Sequence, residues 1–128
     1  MAEPLDLFIS ALYVLYYIPL AFAAHFYHVK EYETSMVIVI VITAAHFVIG
    51  GIAGGIEGMS KAMERFKNKK TGPILIMSNI ILTVSLAFAI CGAVTDSNGK
   101  YTYRKLQLPA IILAYIGNIG CLYVNLLS

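Results

Sequence analysis

Polar side chains interrupt the long apolar runs of this sequence, and they are the first candidates for chemistry. They are His46, Asn79, Thr83, Ser85 and Asn118. Such a group must find a protein partner in lipid, so it marks either a functional site or a contact between helices. His46 and Asn118 each lie about ten residues from the same end of their runs, which places them at one depth and permits a hydrogen bond between them. Helix packing, lipid headgroup binding and an ion or proton pathway remain open readings.

His25, His28 and Glu31 resemble a metal site in their spacing. A protein metal ion usually needs three or four well-placed ligands, and the sequence offers no second histidine cluster. The depths of His25 and His46 differ by about 9 Å, which argues against a shared haem. We therefore predict no metal and no cofactor. Nucleophile elbows, phosphate-binding loops, zincin motifs and paired buried carboxylates are also missing, so we assign no catalytic residue and expect no enzyme.

Composition places these residues in a membrane protein. The chain is 59% hydrophobic and only 12% charged, which exceeds what 128 residues could bury in a soluble core. The formal charge of +2 is too small to argue for nucleic acid as a partner. Membrane lipids are the expected surroundings.

Four apolar runs predict an all-α integral membrane protein, a single antiparallel four-helix domain over residues 1–128. The spans are expected at about residues 7–29, 36–56, 73–94 and 109–127. The connection between the first two spans is so short that they must form an antiparallel hairpin. Residues 96–99, Asp-Ser-Asn-Gly, predict a turn between the last two.

A glycine stripe ends the second span, and it is expected to be the main packing surface. It consists of Gly50, Gly51, Gly54, Gly55 and Gly58. The four-residue spacing leaves two adjacent ridges of the helix without side chains, which lets another backbone approach closely. The alternative is that glycine is simply commoner in membrane helices.

A basic segment at residues 57–72 follows, and we predict that it extends the second helix. Its cations are Lys61, Arg65, Lys67, Lys69 and Lys70. They would contact lipid headgroups or a partner, or they would only fix topology as a positive loop. These five cations outnumber the four on the other side, so both termini are expected in the cytosol. The endoplasmic reticulum or plasma membrane is favoured, and the mitochondrial inner membrane is possible.

Residues 50–82, GGIAGGIEGMSKAMERFKNKKTGPILIMSNIIL, resemble the membrane-spanning four-domain family of B-cell tetraspan antigens. That family has a similar GGI start, a short basic inner loop and a similar opening of the third span. The resemblance implies a four-span fold. It implies no functional residues for this chain, whose outer loop is short and lacks cysteine.

Two functions fit these observations. The first is a non-catalytic accessory subunit of a larger membrane complex, such as a channel, receptor, lipid-transfer or respiratory assembly, joined through the glycine-rich helix. The alternative is a small homo-oligomeric protein that handles lipid or conducts ions.

Overall fold

Four long α helices dominate the computed structural model, which describes residues 4–58, 63–64, 67 and 69–127. They are α1 (Pro4–His28), α2 (Tyr32–Glu57), α3 (Gly72–Ala93) and α4 (Gln107–Leu127), and a 3₁₀ turn at Arg104–Leu106 leads into α4. Within the described residues there is no strand, only an isolated antiparallel bridge between Thr95 and Tyr101. The all-helical class with four helices is confirmed, and each predicted span overlaps one helix.

Each helix is long and apolar enough to cross a membrane. The qualifying segments are Leu7–His28, Tyr32–Ile52, Gly72–Ala93 and Arg104–Leu126. At 1.5 Å per residue, about 20 residues span a hydrocarbon layer of about 30 Å. The antiparallel arrangement stays a prediction.

The basic segment is described only in part. Lys61 and Arg65 lie outside the described residues, whereas Lys67, Lys69 and Lys70 are exposed. The helical extension through this segment also stays a prediction.

A tight reversal joins α1 to α2. Lys30 adopts a left-handed conformation with φ of 68°. Its N–H donates to Tyr27 O at 3.1 Å, and the Glu31 N–H donates to Phe26 O at 2.8 Å. These two bonds form a Schellman motif that satisfies the last carbonyls of α1, with lysine in the position that glycine usually occupies.

The helices pack as a ring in which α1 and α3 each contact both α2 and α4. Small and medium apolar side chains fill one buried cluster: Leu20, Ala23, Met36, Val39, Ala89, Ala110, Ile111 and Ala114. A second cluster contains Tyr13, Leu82 and Cys121.

Helices α3 and α4 approach most closely, because α4 presents glycine to α3. A Cβ at Gly117 would lie 2.5 Å from Leu82 Cγ, and one at Gly120 would overlap the Ser78 hydroxyl. At the other end of this interface a Cβ on Gly92 would lie 2.9 Å from Gln107 Cγ. These three glycines were not among the residues predicted to pack helices.

We expect Gly117→Ala to lower the free energy of unfolding by about 1–3 kcal/mol, because the added methyl group displaces Leu82. Gly50→Ala is the matched control: a Cβ at Gly50 meets no atom within 4 Å, and alanine favours helix. Thermal unfolding of the purified variants in detergent measures both. Equal stability of the two variants would contradict the close approach at Gly117.

Candidate functional site

His46 joins three helices through two hydrogen bonds. Its Nδ1 lies 2.9 Å from the Tyr13 hydroxyl on α1, and its Nε2 lies 2.9 Å from Asn79 Oδ1 on α3. Because a carbonyl oxygen only accepts, Nε2 carries the proton and donates to Asn79. We infer a neutral imidazole at this buried position, in which Nδ1 accepts from the Tyr13 hydroxyl.

Asn79 is fixed in turn by its own helix. Its Nδ2 donates to Leu75 O at 2.9 Å, which orients the amide so that Oδ1 faces His46. The Thr83 hydroxyl, one turn further along α3, donates to Asn79 O at 2.8 Å. The bond to Leu75 O therefore holds the Asn79 amide in the orientation in which Oδ1 can accept from His46.

Asn118 connects α4 to the same place on α1. Its Nδ2 donates to Tyr13 O at 3.0 Å, and both residues are buried. Three of the five polar residues that the sequence singled out thus lie in one network, which we call the polar network: Tyr13, His46, Asn79 and Asn118. Tyr13 lies between His46 and Asn118, in place of the direct bond considered from their depths.

Tyr13 is the member of the polar network that sequence reasoning missed. The signal was present in α1, where Ser10, Tyr13, Leu20 and Ala23 recur at helical spacing and are all buried. Tyr13, Tyr16 and Tyr17 lie close together in α1, so the sequence did not show which of them faces the interior.

The chemistry of the polar network is that of a helix contact. His46 is 6% exposed and Asn118 is 3% exposed, and the imidazole bonds with both of its nitrogens. Ser85 also bonds to a neighbouring helix, because its hydroxyl donates to Ala110 O on α4 at 2.7 Å. Each of these bonds reaches another helix, so they hold neighbouring helices together.

The glycine stripe has no neighbour in this chain at the positions the structure describes. A Cβ at Gly50, Gly51 or Gly55 would meet no atom within 4 Å. Gly58 follows the last residue of α2 with φ of +96°, and it too has open space around it. The surroundings of Gly54 lie outside what is described. Use of the stripe as a packing surface stays a prediction, and α1, α3 and α4 do not cover its described part.

His25 and His28 are both exposed near the end of α1. Among the described residues, no group of three histidine, cysteine, aspartate or glutamate side chains is placed to hold a metal ion.

Comparison with protein-family models, curated proteins and solved structures finds no match for this chain. The resemblance of residues 50–82 to the membrane-spanning four-domain family therefore stays a prediction.

We expect Tyr13→Phe to lower the free energy of unfolding by about 0.5–2 kcal/mol, because His46 Nδ1 loses its donor while the ring remains. Tyr123→Phe is the control, since Tyr123 is half exposed. The loss should shrink when His46 is already replaced by Phe, and a double-mutant cycle in detergent measures this coupling. Additive losses would contradict the Tyr13–His46 bond.

Proposed function

We propose that this chain is a multi-pass membrane protein with four antiparallel spans and no catalytic role. It serves as a subunit of a larger membrane assembly and joins a partner helix through the glycine stripe on α2.

The distribution of side chains supports the membrane setting. Large apolar residues face outward on every helix, among them Phe8, Phe22, Val48, Ile80 and Ile119, each about half exposed or more. Polar residues occupy the interior, among them Ser35, Thr43, Ser85, Gln107 and Asn118. A soluble protein would leave a very large apolar surface in water by this arrangement, whereas lipid covers it at no cost.

The observation that carries the proposal is the contrast between two sets of glycines. Gly92, Gly117 and Gly120 lie against side chains of this chain, whereas Gly50, Gly51 and Gly55 lie against none. A bare ridge gains stability only when a second backbone covers it, because close approach brings many dispersion contacts. The open end of α2 thus has the surface that another transmembrane helix would fit.

The closed polar network favours a structural role over ion conduction through this chain. The two nitrogens of His46 and the two polar atoms of Asn79 all bond to protein groups. An ion or proton path along these residues would require breaking bonds between helices. A homo-oligomer that handles lipid remains the second candidate, with the same stripe as its contact.

The proposal includes sidedness. Both termini and the α2–α3 connection face the cytosol, because that side carries slightly more Lys and Arg than the other. The endoplasmic reticulum or plasma membrane is the favoured location. Cysteines introduced at Lys67 and Tyr101 should be labelled from opposite sides of sealed vesicles, with position 67 inside; labelling of both from one side would contradict the arrangement.

We expect Gly51→Leu to leave thermal stability in detergent unchanged but to abolish association with the partner. The added side chain enters space that this chain leaves empty, and it separates the two backbones by several ångströms. Mild-detergent copurification with mass spectrometry measures association and also separates the two candidates: a larger partner in fixed ratio supports the accessory subunit, and a lone symmetric oligomer supports the alternative.

Ile52→Leu is the matched control, because Ile52 is 59% exposed beside Gly51 and already carries a large side chain. It should retain association. If Gly51→Leu associates as well as the control does, the stripe faces lipid and the proposal is wrong.

A further inference from the structure

Three tyrosines and one arginine form a cluster where α1 ends and α2 and α4 begin. Tyr32 is at its centre: its ring centroid lies 5.4 Å from that of Tyr27 and 5.7 Å from that of Tyr101, both edge-on. The Arg104 guanidinium carbon lies 4.9 Å from the Tyr32 ring centroid, and Nη2 donates to the Tyr32 hydroxyl at 2.6 Å. The aromatic contact and the hydrogen bond together fix the guanidinium in place.

An open cleft of about 770 Å³ lies beside this cluster. It is lined by Tyr27 and residues 101–106, which include Arg104 and Lys105. We call it the Arg104 cleft. Its volume is in the range of small-ligand sites. Its lining residues include two that are cationic, together with Thr102 and three tyrosines.

No described carboxylate neutralises the cations of the Arg104 cleft. Among the described residues, Arg104 forms its side-chain hydrogen bond with a tyrosine, and neither it nor Lys105 pairs with a carboxylate. The nearby Asp96 carboxylate accepts the N–H groups of Asn98 and Lys100 at 2.8 and 2.9 Å, which directs it into its own turn. Glu31 and Glu33 on the α1–α2 reversal are exposed. A guanidinium has five N–H donors, so Arg104 keeps several for a ligand.

We propose that the Arg104 cleft binds a phosphate group, and that its source is the headgroup of a membrane phospholipid. The planar donor fork of arginine matches phosphate oxygens, and the lysine adds a second positive charge. Tyrosines at helix ends lie at headgroup level in membranes, which places the cleft where lipid phosphates are. This proposal rests on the proposed membrane setting. The residues of the cleft are distant in sequence from the glycine stripe, so phosphate binding does not depend on the proposed helix contact.

Thermal unfolding of the full chain in detergent tests this, with three probes added separately. They are dihexanoyl phosphatidylglycerol, dihexanoyl glycerol without phosphate, and inorganic phosphate. The phospholipid should raise the unfolding temperature, and dihexanoyl glycerol should not. Arg104→Gln should weaken the phospholipid affinity about tenfold, since a hydrogen bond to a charged group is lost.

Each variant is compared with its own ligand-free unfolding temperature, so a change in basal stability does not affect the result. Lys105→Gln provides a second test at an exposed side chain and should also weaken the affinity. Lys100→Gln, which removes one exposed charge from the same loop but outside the lining of the cleft, should retain it. An Arg104-dependent shift with inorganic phosphate equal to that with phospholipid would overturn the lipid source. Equal shifts with dihexanoyl glycerol, or an unchanged response of Arg104→Gln, would overturn the site itself. Loss of partner binding in Gly51→Leu is a separate readout and bears only on the helix contact.

Discussion

A polar side chain in an apolar layer must find its partner within the protein, and this requirement organises the interior of the chain. Every neighbouring pair of helices carries at least one side-chain hydrogen bond. Tyr13 meets His46 between α1 and α2, and His46 meets Asn79 between α2 and α3. The other two pairs are joined by side chains that donate to backbone carbonyls: Ser85 to Ala110 O from α3 to α4, and Asn118 to Tyr13 O from α4 to α1. Since lipid tails contact apolar side chains as favourably as another helix does, such bonds and close packing decide which helices are neighbours.

Bonds to backbone carbonyls also require that the helices approach closely. The Ser35 side chain donates to Ala23 O at 2.7 Å, and the Gln107 side chain donates to Gly92 O at 2.8 Å. In both cases one helix lies close enough to the other for a side chain to bond to its backbone. At Gly92, Gly117 and Gly120 the facing atoms occupy the space of a Cβ. The interior therefore contains small and polar residues, and the large apolar residues remain for the outer surface. The glycine stripe on α2 is also built of small residues, but at its described positions no helix of this chain faces it, and this is the physical reason to propose a partner there.

Depth could be predicted from the sequence, but rotation about the helix axis could not. The four apolar runs gave the helices, and counting residues along them placed His46 and Asn118 at one level. Which side of α1 faces them depends on packing with three other helices, so Tyr13 was not separated from Tyr16 and Tyr17. The same holds for the glycines, because the sequence does not show which of them face another helix. The dense repeat at Gly50–Gly55 predicted the packing surface, whereas Gly117 and Gly120 make the closest contacts because Leu82 and Ser78 face them. Glycine in the sequence shows where two helices can approach closely. Whether they do so depends on which helix faces that glycine in the fold.

The central claim is that His46 joins α1, α2 and α3 as a neutral imidazole with its proton on Nε2. Nitrogen-15 NMR of histidine-labelled protein in lipid bilayers tests it most directly, with His25→Gln and His28→Gln variants to assign the signals. The account predicts one imidazole whose Nδ1 is unprotonated and accepts a hydrogen bond, and whose Nε2 is protonated. In Tyr13→Phe its Nδ1 signal should shift, and in Asn79→Leu its Nε2 signal should shift. A proton on Nδ1, an imidazolium at neutral pH, or signals that neither variant moves would contradict it.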